Sequence, residues 1–545
     1  MAPAPPGRAP HVDAEQRDRS RPLPPASPAG GESGARGDVR LFVAELGVQA
    51  GRDEWKPCSG NRKRDSAAAG KSLTVSRPPR WQVRKASIHT CIALGRGRYL
   101  ALQQATEGGP VSRRVLVASL PVVLSAAFLA AGASGSGAGP SAATVLPSAS
   151  CGPVFYKGGG SPQFLVASDL PLQGAGRAQP LSMVKAIRFI LEKQYKFTAG
   201  RYTIGYQSCD DSTAQQGGWA PEKCTANARA YANDRSVIGV IGTFNSGCAK
   251  LIIPILNRAP NGPLAMISPA NTYPGLTHAA KGITEPGEPQ KYYPTGKRNY
   301  VRVVATDDFQ GPADALLIQQ LKRKSVYILH DNQTYGKGVA LAVQKAAKKL
   351  GIKALGFEAW DAKAASYEAV AARIKQSGAE SVFLGGIVDN NGAKLVKDLR
   401  DGLGPKVLLV APDGFTPFSA VAEAGSAAEG MYISVAGLPN EALGPRGKAF
   451  INAYKAYSRQ KTVDPYAVYA AQAAQILFDA IARSNGTRPS VTAELFKTKV
   501  NGGILGTFRI DRNGDTTLKG ITIYKMTGGE GKFDRTLYPS ESLVK

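Results

Sequence analysis

A few groupings in this chain could do chemistry by residue type and spacing. Adjacent carboxylates at Asp210-Asp211 and Asp307-Asp308 could act as general acid and base, but both pairs lie in polar loops, where solvation accounts for them. Gly174-Ala-Gly176 opens like a dinucleotide-binding turn, yet Gln179 stands where a third glycine would let a helix terminus approach a pyrophosphate. Neither a G-x-x-x-x-G-K-S/T loop nor a G-x-S-x-G elbow occurs. Asp511-Arg-Asn-Gly-Asp515 alternates acids as a calcium loop does, but Gly514 precedes the third acid and no Glu follows at the bidentate position. It reads instead as an Asn-Gly turn joining strands at Gly506–Ile510 and Leu518–Lys525. With only four His (His11, His89, His278, His330), neither a histidine-rich metal centre nor a Ser-His-Asp relay is expected. The reading is therefore of a chain with no catalytic residue, no metal and no cofactor.

The formal net charge of +27 raises nucleic acid as a partner. The basic residues are scattered, without a stripe of interleaved aromatics, a helix-turn-helix or a zinc-finger spacing, so a solvated basic surface and no nucleic-acid partner are expected. Residues 1–110 are rich in Pro, Arg, Gly, Ser and Ala, as in APAPPGRAP, and cannot offset their ordering entropy by burial. They read as a disordered extension or as an artefact of a start placed too early. Arg113 and Arg114, the apolar run Val115–Ala131 and the A-x-A site Ala131-Gly-Ala133 read as the three parts of a secretory signal over 111–133, and if the extension is an artefact the start is expected at Val111. Pro121 and the shortness of the run make it a poor membrane span. Residues 134–160 read as a linker.

Export implies oxidised cysteines. Beyond Cys58 and Cys91 in the front segment stand Cys151, Cys209, Cys224 and Cys248, an even number without C-x-x-C spacing. All three pairings stay open, with one bridge expected to join two of Cys209, Cys224 and Cys248. Cys151 follows Pro147-Ser-Ala-Ser150, which lacks the Leu of a lipid-attachment box.

From Phe164 onward, β-rich runs alternate with amphipathic stretches, which implies an α/β fold of parallel sheets covered by helices. The strands are expected at Phe164–Ala167, Tyr202–Gln207, Val237–Ile241, Leu264–Ile267, Val326–Leu329, Ala354–Glu358, Ser381–Leu384, Val407–Val410 and Met431–Val435. Helices fit between and after them, the last running from Ala467 to Ser484 with Ala471, Ala474, Leu477 and Phe478 as its core face. In a doubly wound sheet ligands bind outside the carboxyl ends of the strands, so the loops there are decisive.

Four of those loops, in order, carry a resemblance: Val237-Ile-Gly-Val-Ile-Gly-Thr-Phe-Asn-Ser246, Met266-Ile-Ser-Pro-Ala-Asn-Thr-Tyr-Pro274, Tyr300-Val-Arg-Val-Val-Ala-Thr-Asp-Asp-Phe-Gln-Gly311 and His330-Asp-Asn-Gln-Thr-Tyr-Gly336. Together they resemble the type I periplasmic binding proteins of ABC importers, in particular the leucine/isoleucine/valine-binding group, over about Phe164 to Tyr524. The resemblance implies two doubly wound parallel-sheet lobes, 161–303 plus 437–507 and 304–436 plus 508–540, joined by three crossovers near Arg302–Thr306, Ser434–Leu438 and Thr507–Ile510. It also implies that Asn245, Ser246, Ala270, Asn271 and Thr272 hold an α-carboxylate with hydroxyls and N–H groups, that Tyr335 closes on the ligand, and that Asp413 accepts from an α-ammonium. Ordinary roles compete with each of these: Ser246 and Thr272 as helix caps, Tyr335 as a packing aromatic, Asp413 as a turn former.

Three features depart from that pattern. Asn245-Ser246-Gly247 stands where adjacent serines or threonines are common, Gly385-Gly-Ile387 replaces an aromatic, and Gln215–Glu222 is inserted between Cys209 and Cys224. The function expected is an exported, monomeric solute-binding protein, periplasmic or on the cell surface, with a membrane tether left open, that hands a small amino acid-like ligand to an ABC transporter permease. A ligand sensor with the same clamp, or a secreted doubly wound enzyme, is the alternative.

Overall fold

The computed structural model describes residues 143–147 and 149–545; the expected extension over 1–110, the signal segment over 111–133, Cys58 and Cys91 lie outside the described residues. Five parallel strands form the first sheet: β1 (Phe164–Leu170), β2 (Tyr202–Asp210), β3 (Val237–Gly242), β4 (Ala265–Ser268) and β5 (Tyr300–Arg302). Their spatial order is β2-β1-β3-β4-β5, with the short strand Thr198–Ala199 antiparallel on the β2 edge. Val237-Ile-Gly-Val-Ile-Gly is buried throughout, as a strand covered by helices on both faces must be. Helices α1 (Ala178–Phe189), α2 (Pro221–Asn233) and α3 (Ser246–Asn257) follow the first three strands.

The second sheet repeats the plan. After α4 (Asp307–Gln320) come β6 (Ser325–His330), α5 (Thr334–Lys349), β7 (Lys353–Ala359), α6 (Glu368–Ser377), β8 (Ser381–Gly385), α7 (Gly392–Leu403), β9 (Leu408–Ala411) and β10 (Tyr432–Val435). The chain then returns to the first lobe through α8 (Pro445–Ser458), α9 (Pro465–Arg483) and α10 (Arg488–Phe496), and crosses back to add β11 (Ile521–Thr527) and β12 (Glu530–Leu537) antiparallel to the second sheet. The order is β7-β6-β8-β9-β10-β11-β12. Each sheet thus reverses its winding beside its first strand, the place where a doubly wound fold gathers ligand-binding loops. The fold is α/β with two such lobes, as expected.

All nine expected strands are present within a few residues. The face of α9 that carries Ala471, Ala474, Leu477 and Phe478 is buried, and Leu477 lies so close to β3 that a Cβ on Gly239 would stand 2.8 Å from its side chain. Close helix–strand packing is the reason for glycine there.

Two expectations change. The segment read as a linker is bound to the first sheet over its described part: Cys151 and Phe155 pair with Cys209 and Tyr206 of β2, Leu146 is buried, and Cys151–Cys209 is a disulfide. The second bridge, Cys224–Cys248, joins α2 to α3 and is the pair expected within the 209–248 cluster. The turn at Asp511–Asp515 is not a hairpin of two long strands. Gly506–Arg509 pairs with Lys499–Gly503 instead, and only an isolated bridge between Ile510 and Thr516 closes the turn.

That turn has another use. Asp515 accepts from Nε of Arg302 at 2.8 Å and from Thr277 Oγ1 at 2.8 Å, and pairs with His278 Nδ1 at 2.9 Å. The other ring nitrogen of His278 lies 3.0 Å from Asp308 Oδ2 at the start of α4, so one imidazole links the first lobe to the first helix of the second. Burial alone would lower the His278 pKa, but the two carboxylates outweigh it and raise it from 6.5 to about 9. A base whose folded pKa is raised contributes stability that is complete below its unfolded pKa and disappears as pH rises through its folded one. The melting temperature should therefore fall between about pH 7 and pH 9 in the unaltered protein, and calorimetry should find that fall much reduced in His278→Gln.

Candidate functional site

The loops that leave β3 and β4 face those that leave β6 and β9. On the first-lobe side, α3 begins at Ser246 directly after β3, with no side chain capping its first turn. Ser246 Oγ accepts the Tyr273 N–H at 3.3 Å, which leaves the serine hydroxyl hydrogen free to donate. Thr272 Oγ1 and Asn245 Oδ1 are buried without partners. Neither Ser246 nor Thr272 caps a helix through its side chain.

Asn271 departs from its expected role. Its N–H donates to Ser268 Oγ at 2.8 Å, its side-chain amide to Phe244 O at 2.9 Å and Thr243 Oγ1 at 3.2 Å, and its Oδ1 accepts from Tyr300 at 3.1 Å. With these groups committed, Asn271 fixes one ligand loop to the other and has no donor to offer. The Ala270 N–H is likewise taken by Ser268 Oγ, at 3.1 Å.

On the second-lobe side Asp413 opens a short turn, Asp413–Phe415, in which Thr416 N–H donates to its carbonyl at 2.9 Å. Its carboxylate is not spent on the turn. Oδ1 accepts from Gln310 Nε2 at 2.6 Å and from Tyr335 at 2.7 Å, and Oδ2 accepts from Tyr466. Tyr335 is buried and also accepts from the Gly414 N–H at 3.1 Å, so it orients Asp413 as well as walling the cleft. Tyr466 stands in the first turn of α9, on the other lobe. Sequence reading begins that helix at Ala467 and misses it, although Asp464-Pro465 is a helix-start signal, and Asp464 does cap the helix through Tyr466 N–H.

Two further acids lie beside Asp413. Asp307 and Asp314 stand on one face of α4 with Gln310, both fully buried, and neither carboxylate has a hydrogen-bond partner. Burial drives both well above the ordinary carboxylate range, and the charge of Asp413 adds to each shift, while that of Arg302 opposes it at Asp307. Burial likewise raises Asp413, against its three hydrogen-bond donors. The pair Asp307-Asp308, expected to be solvated in a loop, is instead buried as the first turn of α4. Asp211, also expected in solvent, is fully buried against Asp169. Burial lifts Asp169 to about 6. Both acids lie with the sulfurs of Cys224 and Cys248 within 4.8 Å of one another, a metal-like grouping, but the sulfurs are bonded to each other and supply no thiolate.

The arrangement therefore sets hydroxyls and a helix N-terminus on one side of the cleft against carboxylates on the other. It suits a ligand carrying an anion and a cation a few atoms apart.

A family model described as periplasmic binding protein matches residues 166–531. A leucine-, isoleucine-, valine-, threonine- and alanine-binding protein of Pseudomonas aeruginosa is 27% identical over 310 residues, covering 56% of this chain and 75% of that relative. Among solved structures, a leucine-binding protein from Thermotoga maritima superposes with a TM-score of 0.60 at 21% identity, covering 69% of this chain and 99% of the other. A branched-chain amino acid transporter substrate-binding protein from Streptococcus pneumoniae, in complex with isoleucine, gives 0.58 at 19% identity, covering 68% and 98%.

An unpartnered buried carboxyl with a raised pKa costs stability once the pH passes that pKa. Asp307→Asn should raise the melting temperature of the ligand-free protein at pH 8 and change it little at pH 4. A substitution that lowers the melting temperature at both pH values would show Asp307 to be held by its neighbours after all.

Proposed function

The chain belongs to the periplasmic binding protein family, and from that premise we propose that it is an exported solute-binding protein, not an enzyme, which captures a small amino acid of the branched-chain type between its lobes and delivers it to an ABC permease. One observation carries the reading: free hydroxyls and an uncapped helix N-terminus in the first lobe face a carboxylate cluster in the second, matching the two charges of a zwitterion. Ser246, Thr272 and the first N–H groups of α3 take the α-carboxylate. Asp413 and Asp307 take the α-ammonium, Tyr335 covers the ligand, and Asn245, Ala270 and Asn271 shape the loops around it. The lobes that close are 161–303 with 437–507 and 304–436 with 508–540, acting as a monomer.

Relatives named for leucine, isoleucine and valine support the ligand class, and the paired cysteines support export to an oxidising compartment. No helix among the described residues is long and apolar enough to cross a membrane. Cys151 is taken up in a disulfide, which leaves no thiol there for a lipid anchor.

A thermal-shift screen of the folded part against amino acids, amides, polyols and small carboxylic acids tests the proposal. A ligand at a hundredfold excess over its Kd stabilises by about 2.7 kcal/mol, a readily measured rise. An aliphatic amino acid should give the largest shift; a shift with a sugar and none with any zwitterion would overturn the reading. For the ligand found, Asp413→Asn should weaken binding at least about tenfold, since charged hydrogen bonds contribute roughly 1.5–3 kcal/mol. The same substitution should cost much less for the matching acid without its amine, as titration calorimetry with the two ligands would show. Because binding needs the ionised form of a carboxyl whose pKa is raised, affinity should also decline on acidification before ordinary carboxylates titrate.

A further inference from the structure

Two of the sequence departures meet in space. The insertion folds into a small hairpin, Ser212–Thr213 against Gly218–Trp219, immediately before α2. Its root is anchored by Asp210, which accepts from Ser212 N–H at 2.9 Å, Leu172 N–H at 2.9 Å and Gln173 Nε2 at 2.7 Å, and by Lys223, which donates to Ser212 O at 2.9 Å. The Cys224–Cys248 disulfide then ties the first turn of α2 to the first turn of α3. The hairpin is therefore fixed to the same helix whose N-terminus faces the cleft.

At the end of the hairpin the Trp219 indole lies over Gly247, so close that a Cβ there would come within 2.6 Å of the ring. The glycine that departs from the family pattern is the residue that admits the inserted indole. The indole N–H donates to Gln333 Oε1 at 3.0 Å, and Gln333 belongs to the second lobe, two residues before Tyr335. The neighbouring rim closes the same way: Asp389 of the second lobe accepts the Gly176 N–H at 2.8 Å, and the Thr416 hydroxyl donates to Gln179 at 3.0 Å. Trp219 alone among these joins the ligand loop of one lobe to the ligand loop of the other through a single side chain.

We propose that Trp219 is a positioning residue for ligand retention: packed on Gly247 and bonded to Gln333, it holds the lobes closed over the cleft and sets the rate at which ligand leaves. The proposal rests on the capture reading above. Opening separates Gln333 from Trp219, whereas ligand entry into the open form does not involve their contact, so the effect belongs to dissociation.

Stopped-flow kinetics on Trp219→Ala, Trp219→Phe and Gln333→Ala, with the tightest amino acid from the screen, test this. Trp219→Ala should raise the dissociation rate about tenfold with the association rate changed less than about twofold. Trp219→Phe, which keeps an aromatic on Gly247, and Gln333→Ala should each fall between that variant and the unaltered protein. Unchanged dissociation rates, or a loss confined to association, would overturn the proposal. If Trp219→Ala fails to fold, Gln333→Ala decides alone. If the unaltered protein binds no amino acid, the capture reading fails by itself, and small-angle scattering without ligand then decides the retention role. A larger radius of gyration in Gln333→Ala than in the unaltered protein supports it, and equal radii refute it.

Discussion

A guanidinium taken wholly out of water must be met by acceptors, and Arg302 meets that demand by gathering three parts of the chain. Its Nε reaches Asp515 in the turn after the third expected crossover, and Nη1 donates to the carbonyls of Asn271 and Tyr273 at 2.9 Å each, on either side of Thr272. Nη2 reaches Thr277. Asp515 is held down to about 2 because Arg302, His278 and Thr277 outweigh its burial. Removing one member of such a pair strands the other and typically costs about 3–5 kcal/mol. The ligand loop after β4 is therefore not free to relax on its own, since its carbonyls are pinned by the same cation that fixes the crossover, and Thr272 is presented to the cleft as a by-product of neutralising Arg302.

The cleft has the opposite electrostatic character. Asp307, Asp314 and Asp413 lie together and form no salt bridge among the described residues; the charge of Arg302, spent on Asp515, is felt at Asp307, and at Asp413 tyrosines and a glutamine do what charge does elsewhere. Neutral donors can hold a carboxylate's geometry without cancelling its field, so the acid stays oriented yet remains attractive to an incoming ammonium. The energetic cost of burying them appears in the raised pKa values.

Much of this was legible in the chain. The nine strands announced themselves as β-branched runs ending in polar loops, and the helices by their apolar period. Asn245, Ala270, Asn271, Thr272 and Asp413 lie beyond the carboxyl ends of β3, β4 and β9, and Ser246 and Tyr335 in the first turns of α3 and α5. What the sequence hid were matters of partner rather than position. Asp307 looks solvated because its neighbour is another acid, and only tertiary packing buries it. Tyr466 falls just outside the helix as read from the sequence, and its reach to a carboxylate on the other lobe has no local signature. Asn271 carries the right amide in the right loop, but its bonding is consumed by Thr243, Phe244 and Tyr300. The turn at Asp511–Asp515 has hairpin chemistry, yet its flanking strands join different sheets, a choice made by long-range packing.

The first lobe is built from chain on both sides of the second, and this orders events in time. α9, whose Leu477 covers Gly239 of β3, is the last large piece of the first core, and it is synthesised after the entire set of strands from β6 to β10. Until Arg483 is present, Ile187, Ile241 and their neighbours face an uncovered side of the sheet. The first-lobe strands, made before those of the second, are thus completed last, and closing that distance slows the collapse of the chain into its final form. A ribosome-bound chain stalled between β10 and α9 would display a broad greasy surface, the kind that chaperones hold.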